Sequence, residues 1–270
     1  MVRLSARSRR DVAFRAVATS RPAATVAARA LSALADLILP IACAACGRVV
    51  DYREPGIVCG RCWARLRLLP APRCERCGHP TAGRRCRWCD SLPPYVRCVR
   101  SVCWATADTG QRILHALKYE GWWRVADGAA ARMARLPWPS DVVEERALLI
   151  PVPLAASRQR QRGYNQSECL ARSLAPLWKV PVRVDLLVRS RSTETQTRLT
   201  PDERVRNVHG AFAASPEARP VLRGMHVVLI DDVVTTAATL NACASVLHDA
   251  GARIISYVTF GRAPAIGDRI

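Results

Sequence analysis

Two adjacent carboxylates, Asp231 and Asp232, are the residues of this sequence that most directly suggest chemistry. They follow the apolar, mostly β-branched run 227–230, which predicts a strand buried on both faces. Residues 233–239 then form a Thr-rich loop that enters a helix. Such a loop offers backbone N–H groups and a positive dipole end to a phosphate, while an acidic pair suits a metal ion or sugar hydroxyls. The stretch therefore predicts a phosphate site beside two carboxylates.

A strand–loop–helix–strand unit is expected to position this pair. Residues 240–250 have the apolar spacing of a helix that Gly251 ends, and 254–260 predict the next strand. In open α/β sheets the ligand crevice lies outside the carboxyl ends of the strands. The alternative is a carboxylate pair that only caps a turn. It is disfavoured because adjacent buried carboxylates repel and cost several kcal/mol without compensation.

Two other phosphate-binding motifs are absent from the sequence. A P-loop requires Gly-Lys-Ser/Thr, whereas the two lysines, Lys118 and Lys179, follow Leu and Trp. The dinucleotide motif G-x-G-x-x-G does not occur. The acidic pair and its loop are therefore the main candidate for a phosphate site in this sequence.

Four C-x-x-C pairs lie within 47 residues and supply eight candidate metal ligands: Cys43, Cys46, Cys59, Cys62, Cys74, Cys77, Cys86 and Cys89. Two thiolates three residues apart in a tight turn reach one tetrahedral Zn²⁺, and two such pairs close the shell. The array predicts two structural zinc sites in a double zinc ribbon, and spacing permits both sequential and cross-braced grouping. A disulfide framework is the alternative, disfavoured because a reducing cytoplasm is expected. His79, just after Cys77, is expected on the surface, with a substitute zinc ligand as the alternative.

An arginine-rich segment follows another predicted strand, at 147–150. Residues 157–166 carry Arg158, Arg160 and Arg162 and end in Gly-Tyr-Asn-Gln. Such a run is usually a solvated face. Directly after a strand's carboxyl end, however, its arginines are well placed to meet a pyrophosphate with bidentate donors.

The length of 270 residues leaves room for an α/β domain and a smaller module. We expect a disordered basic extension over 1–30, a short helix and the double zinc ribbon over 31–92, and the α/β domain over 93–270. The other predicted elements are strands at 96–105 and 186–188 and helices at 30–39, 109–117, 123–136 and 164–178. The polar segment 192–207 is interpreted as a mobile loop that closes over an anionic ligand, or as an ordinary surface loop.

The net charge of +19 is unevenly distributed. Residues 1–107 carry 19 basic and 6 acidic groups, whereas 108–270 carry 22 and 16. Arginine accounts for 39 of the 41 basic residues, a bias that also fits a high-GC genome. No apolar run approaches the ~18 residues of a membrane span, and a cytoplasmic protein is expected.

Three motifs together carry a family resemblance. Segment 227–239 resembles the phosphoribosyl pyrophosphate (PRPP) signature of type I phosphoribosyltransferases. With PVPLAASRQRQRGYNQS, TQTRLTPDERVRNVHGAF and the cysteine array, the chain is similar to the ComF family of competence-associated, phosphoribosyltransferase-like bacterial proteins, over about residues 31–262. This implies a type I phosphoribosyltransferase fold: an open, mostly parallel α/β sheet preceded by the double zinc ribbon. One departure is Ala237, where the family usually has glycine.

The resemblance also implies roles for individual residues. Asp231 and Asp232 would be catalytic, meeting the ribose hydroxyls of PRPP and Mg²⁺. Arg158, Arg162 and Asn165 would lie near the pyrophosphate. The remaining PRPP-binding residues would be the loop itself, with the threonines holding the 5′-phosphate: Val233, Val234, Thr235, Thr236, Ala237, Ala238 and Thr239.

Two functions remain open at this point. One is a transferase that displaces pyrophosphate at ribose C1, for example in nucleotide salvage. The other is a nucleotide or phosphate sensor that binds DNA or partners. The resemblance implies work on imported single-stranded DNA with a helicase-like partner and a recombination mediator. Five tryptophans are candidate stacking platforms for bases: Trp63, Trp88, Trp104, Trp122 and Trp123.

Overall fold

A computed structural model of the chain describes residues 41–50, 56–81, 86–106, 108–191, 208, 210–264 and 268. The extension expected over 1–30, the helix expected over 30–39 and the polar segment 192–207 lie outside these ranges. Within the described ranges, no helix is both long enough and apolar enough to cross a bilayer.

The predicted elements that lie in the described ranges appear in the expected order, together with short helices and strand β4 that the sequence did not predict. The first half contains α1 (Gly60–Ala64), a 3-10 helix (Arg87–Ser91), β1 (Val96–Trp104), α2 (Thr109–Tyr119), α3 (Val125–Ala134), α4 (Ser140–Glu145) and β2 (Arg146–Pro151). The second half contains α5 (Ala156–Arg162), α6 (Gln166–Trp178), β3 (Leu187–Arg189), β4 (Phe212–Ala214), α7 (Ala218–Leu222), β5 (His226–Val234), α8 (Ala238–Asp249) and β6 (Ile254–Arg262).

A parallel sheet in the order β1-β6-β5-β2 forms the centre of the fold, and β3 and β4 form a separate antiparallel pair. The apolar run of β5 alternates between two cores. Val228 and Ile230 pack in the core that contains residues of α2, α3 and α6, while Val227 and Leu229 pack in the core that contains α8. The predicted open, mostly parallel sheet is confirmed, and so is a central strand buried on both faces.

Strand β5 continues through the acidic pair instead of ending before it. Asp231 is in register with Thr259 of β6, and Val233 with Gly261. The predicted loop at 233–239 is therefore too long, because the β-branched Val233 and Val234 extend the ladder and α8 begins at Ala238. Only residues 235–237 connect the strand to the helix.

The cysteine-rich region packs directly on the sheet. The backbone N–H of Trp104 in β1 donates to the carbonyl of Arg67 at 2.8 Å. The Trp63 ring meets Phe260 of β6 edge-on, with ring centroids 6.1 Å apart. It also lies so close to α3 that a Cβ on Gly128 would come within 2.5 Å of the ring. The first ribbon therefore shares a hydrophobic core with α2, α3 and α6, and Cys77 of the second ribbon packs in the core that contains α8.

Candidate phosphate site and metal centres

The acidic pair lies at the carboxyl end of β5. Asp231 Oδ1 accepts hydrogen bonds from Ser167 Oγ at 2.8 Å and from the Asp232 backbone N–H at 2.9 Å. The Asp232 side chain is 7 % exposed, and its Oδ1 lies 3.1 Å from Lys118 Nζ. Its Oδ2 is buried and has no hydrogen-bond partner among the described residues. Asp231 Oδ1 and Asp232 Oδ1 therefore have polar partners, whereas Asp232 Oδ2 has none among the described residues.

Electrostatics at this pair favour the arrival of a cation. Burial, and secondly the charge of Asp232, raise the pKa of Asp231 to about 7. The Ser167 hydroxyl, the Asp232 N–H and Lys118 lower this pKa but do not offset burial. Carboxylate and hydroxyl oxygens are the ligands that Mg²⁺ prefers. The unpartnered Asp232 Oδ2 therefore fits the metal that the resemblance implies.

The loop from β5 to α8 turns through a left-handed residue. Ala237 has φ 60° and ψ 7° and precedes the first turn of α8. This conformation costs a residue with a Cβ roughly 1 kcal/mol. Because Ala237 and Ala238 line the cleft, the first turn and the positive dipole end of α8 are available to a phosphate.

The threonines and valines of the loop do not all face the cleft. Lining residues from the predicted loop include Thr235 and Thr239, with Val233 and Val234 at the end of the strand. Thr236 is not among them, and its hydroxyl is buried without a hydrogen-bond partner in the described structure. The structure brings most of the predicted loop to the cleft and leaves Thr236 aside.

Helix α5 presents alternate arginines to the cleft. Arg158 and Arg162, one helical turn apart, both line it, while Arg160 is exposed and does not. Asn165 has a different place from the expected one: its side chain accepts from the Ser167 N–H at the start of α6 and donates to the carbonyl of Val152. Asn165 thus fixes the helix that carries Ser167.

Sequence reasoning missed the polar residues of the cleft lining that lie outside the predicted segments or were not singled out in them: Lys118, Tyr119, Gln166, Ser167 and Arg189. Lys118 and Tyr119 come from the last turn of α2, and Arg189 ends β3. One signal pointed to Lys118. In a chain with 39 arginines and two lysines, a lysine at a specific place is unusual. Nothing in the local sequence pointed to Ser167 or Arg189.

These segments enclose a cleft of about 310 Å³. The acidic pair lies on one side, the start of α8 beside it, and the arginines of α5 also face inward. Arg162 is further placed by a hydrogen bond to Gln166 at 3.0 Å and lies over the Tyr119 ring at 4.7 Å. The cleft can therefore receive an anionic, hydroxyl-bearing ligand together with a cation.

The eight predicted cysteines form two tetrads with sequential grouping, Cys43/Cys46/Cys59/Cys62 and Cys74/Cys77/Cys86/Cys89. In each tetrad all four sulfurs lie within 4.8 Å of one another. Tetrahedral Zn²⁺ with 2.3 Å bonds requires sulfurs roughly 3.8 Å apart, and Cys43 and Cys62 are 3.8 Å apart. The structure thus decides between the two groupings that spacing had left open.

Two expectations about aromatic residues near the zinc ribbons are wrong. His79 is not a surface residue: it is 8 % exposed, and its Nε2 lies 2.9 Å from Asp268 Oδ1, next to the rings of Trp88 and Trp104. Trp104 is 3 % exposed and thus unavailable for stacking on a base. The reason is that the second ribbon packs against β1 and β6 and buries both side chains, a contact that the local sequence does not determine.

Other tryptophans differ in their availability. Arg132 covers the Trp63 ring at 3.6 Å, and Arg262 lies over Trp88 at 5.4 Å. Trp122 is partly buried in the core, whereas Trp123 is 54 % exposed. Of the five candidates, Trp123 is thus the one whose ring is largely open to solvent.

Two family models match the chain. A double zinc ribbon domain covers residues 34–93, and a phosphoribosyl transferase domain covers residues 162–268. The first includes both cysteine tetrads and the second includes the acidic pair with its loop. The tetrads are therefore the ligand sets of two structural zinc sites.

Known proteins similar to this chain carry names from DNA metabolism. The DNA utilization protein YhgH of Salmonella typhi is 32% identical over 229 residues, which cover 81% of this chain and 96% of that protein. Competence protein F of Haemophilus influenzae is 37% identical over 117 residues, or 43% of this chain and 50% of that protein. Competence protein ComFC of Bacillus subtilis is 27% identical over 204 residues, covering 72% and 79%.

Similar solved structures include enzymes that act on phosphoribosyl compounds. A glutamine PRPP amidotransferase from B. subtilis matches with a TM-score of 0.33 at 18% identity, over 49% of this chain and 25% of that one. A hypoxanthine phosphoribosyltransferase from Staphylococcus aureus matches with a TM-score of 0.30 at 11% identity, over 55% and 69%.

Proposed function

This chain belongs to the ComF family of phosphoribosyltransferase-like proteins, and on that premise we propose that its cleft binds PRPP together with Mg²⁺. The observation that carries the proposal is the acidic pair, in which the buried Asp232 keeps an unpartnered carboxylate oxygen, beside the start of a twelve-residue helix. A diol, a divalent cation and a phosphate are the groups that these two features attract.

The predicted site residues that line the cleft have distinct roles toward such a ligand. Asp231 and Asp232 accept hydrogen bonds from ribose hydroxyls and hold the cation. The N–H groups at the start of α8 receive the 5′-phosphate, assisted by Thr235 and Thr239. Arg158 and Arg162 meet the pyrophosphate with bidentate donors. Bound Mg²⁺ would supply neutralisation of the negative charge on the leaving group.

A transferase reaction follows from this arrangement if an acceptor is present. The acceptor's lone pair attacks ribose C1, the bond from C1 to the pyrophosphate oxygen breaks, and pyrophosphate leaves with both bonding electrons. Positioning and electrostatic stabilisation are sufficient for such a displacement. The acceptor itself loses a proton to water or to a neighbouring base.

Binding without turnover is the second candidate function. It is favoured by the lining of the cleft, where the described residues include no histidine or glutamate and no carboxyl group besides Asp231 and Asp232. Both aspartates are assigned to the ribose and the cation, which leaves no separate base for an acceptor. In this case the chain is a sensor of PRPP or a related nucleotide.

We further propose that the protein acts in the cytoplasm on single-stranded DNA taken up by the cell, alongside a helicase-like protein and a recombination mediator. The names of the similar proteins and the excess of 19 basic over 6 acidic residues in 1–107 support this proposal. The largely exposed Trp123 offers one surface for base stacking.

Calorimetric titration of the native protein tests PRPP binding. We expect PRPP with Mg²⁺ to bind more tightly than ribose 5-phosphate or pyrophosphate alone, since each fragment reaches only part of the cleft. Binding of PRPP no tighter than that of either fragment would contradict the proposal.

A second assay separates the transferase from the sensor. Pyrophosphate release is measured with PRPP, Mg²⁺ and a panel of nucleobases and amines. Release that depends on one acceptor establishes the transferase, whereas tight PRPP binding with no release for any acceptor establishes the sensor.

A further inference from the structure

One lysine lies between the acidic pair and the open cleft. Lys118 Nζ is 3.1 Å from Asp232 Oδ1, and the lysine side chain is 23 % exposed while the aspartate is 7 % exposed. The ammonium group can therefore reach both the buried carboxylate and the space that a ligand would fill.

The backbone of this lysine is held from a different segment of the chain. The Tyr164 hydroxyl donates to the carbonyl of Leu117 at 2.5 Å, and Leu117 is itself 1 % exposed. Tyr164 lies between the arginine helix α5 and the helix α6 that carries Ser167. The end of α2 is thus fixed, and the freedom that remains to Lys118 is in its four-carbon stem.

The charges around Lys118 favour an exchange of its ion-pair partner. A divalent cation held by the aspartates would compete with Lys118 for Asp232 Oδ1. An ammonium is a point charge on a flexible stem, whereas a guanidinium has a rigid planar fork that commits it to one geometry. A lysine in so arginine-rich a chain is consistent with a role that requires movement.

We infer that Lys118 is a ligand-binding residue that changes partner when the ligand enters. In the empty cleft it pairs with Asp232 and takes the place of the divalent cation. When Mg²⁺ and PRPP enter, it releases Asp232 and contacts a phosphate oxygen of the ligand. The inference rests on the proposed function, and it predicts opposite effects of this lysine on metal binding and on PRPP binding.

Removal of the charge tests this prediction. In Lys118→Met, Mg²⁺ alone should bind roughly tenfold more tightly because its competitor is gone. PRPP at saturating Mg²⁺ should bind roughly tenfold more weakly because a charge-assisted contact is lost. Lys179→Met is the matched control, since Lys179 is exposed and absent from the cleft lining, and it should leave both affinities unchanged.

A second measurement needs no variant and so does not depend on whether Lys118→Met folds. The native chain is acetylated with acetic anhydride, and the rates at its two lysines are compared by mass spectrometry. Mg²⁺ alone should raise the rate at Lys118 several-fold, and PRPP with Mg²⁺ should lower it below that of the empty protein. Lys179 serves as an internal reference and should not respond.

The outcomes separate this inference from the proposed function. If the native protein binds PRPP but Lys118→Met changes both affinities in the same direction or neither, the inference is overturned and the proposed function stands. A Lys118 acetylation rate that is indifferent to Mg²⁺ and PRPP overturns it equally. If the native protein binds no PRPP, both fall together.

Discussion

The zinc ribbons and the phosphate cleft are built in opposite ways. Each zinc tetrad takes all its ligands from one short segment of the chain, 43–62 or 74–89. The cleft instead gathers residues from α2, α5, α6, β3, β5 and α8, which extend from Lys118 to Leu240. The zinc sites can be predicted from residue spacing because their ligands are close together in the sequence. The cleft cannot, because its composition depends on the order of the strands in the sheet.

The two regions also differ in how completely their polar groups are partnered. Tetrahedral tetrads of thiolates form closed shells, which suits structural metals. The cleft retains a buried Asp232 oxygen without a partner and a left-handed Ala237. Strain and unpaired charge at a site are features that a ligand can relieve. We therefore expect the ribbons to contribute mainly to stability and the cleft to bind a ligand.

The largest expected effect comes from breaking the second zinc tetrad. Cys77 is 1 % exposed and packs in the same core as Val99 and Tyr257 of the sheet. Cys77→Ser should reduce bound zinc from two ions to one. It should also lower the free energy of unfolding of the whole chain by several kcal/mol, because structural zinc contributes on the order of 10 kcal/mol.

Elemental analysis and thermal melts measure both effects. Cys169→Ser is the control, since Cys169 is half-buried and outside both tetrads. Two zinc ions per chain and an unchanged melting temperature in Cys77→Ser would show that this cysteine is not a ligand.

The next effect is a pH dependence that arises from the cleft. Because the pKa of Asp231 is raised to about 7 in the folded chain, that state keeps a proton which the unfolded chain has lost above pH ~4. The free energy of unfolding should therefore fall as the pH rises from about 4 to 7, by at most a few kcal/mol, and then level off. Asp231→Asn should flatten this fall in denaturant titrations without divalent cations.

Asp141→Asn provides a comparison of opposite sign. The Arg97 guanidinium lowers the pKa of Asp141, so its contribution to stability is lost only as the pH falls below the ordinary aspartate range. Loss of the pH 4–7 slope in Asp141→Asn, with retention in Asp231→Asn, would contradict the assignment.

A smaller effect concerns DNA and the ribbon surface. Arg61, Arg65 and Arg67 are exposed on and just after α1. If each neutralises one phosphate of single-stranded DNA, changing all three to Gln should make the log–log salt slope shallower by about 2. Fluorescence anisotropy at several salt concentrations measures the slope. The same change at exposed Arg112, Arg219 and Arg223 is the control, and equal effects of the two triple variants would exclude a DNA surface on the ribbons.

The smallest effect is expected at the phosphate loop. Ala237 has φ 60°, a conformation that glycine adopts without strain. Bound PRPP is expected to hold residue 237 at positive φ more firmly than the empty loop does. The backbone strain of ~1 kcal/mol that Ala237→Gly removes should then tighten PRPP binding roughly fivefold. Calorimetry measures this, with Ala242→Gly within α8 as a control for general helix destabilisation. Weaker PRPP binding in Ala237→Gly would show that the methyl group is a useful contact.

The sequence predicts the parts of this protein that are written locally. Periodicity identifies β5 and α8, and C-x-x-C spacing identifies all eight zinc ligands. It does not reveal that β5 runs on to Val234, because that depends on β6 offering partners as far as Arg262. The approach of Lys118 and Ser167 to the acidic pair is likewise invisible, since 114 and 64 residues of chain separate them from Asp232 and Asp231.

His79 shows the same limit in the zinc region. A histidine two residues after Cys77 suggests either a zinc ligand or a surface residue. Spacing cannot reveal that the rings of Trp88 and Trp104 both pack against its imidazole. Burial created by docking one module on another is a property of the tertiary structure. The cysteines were predictable because their chemistry requires no such docking.

The central claim is that the acidic pair is a ligand site and not a structural feature. Calorimetric titration of PRPP with Mg²⁺ into the native chain and into Asp231→Asn/Asp232→Asn, with thermal melts of both, tests it most directly. We predict binding by the native protein, at least a hundredfold weaker binding by the double variant, and an equal or higher melting temperature for that variant, because like charges have been removed. Equal PRPP affinity in the two proteins would contradict the claim.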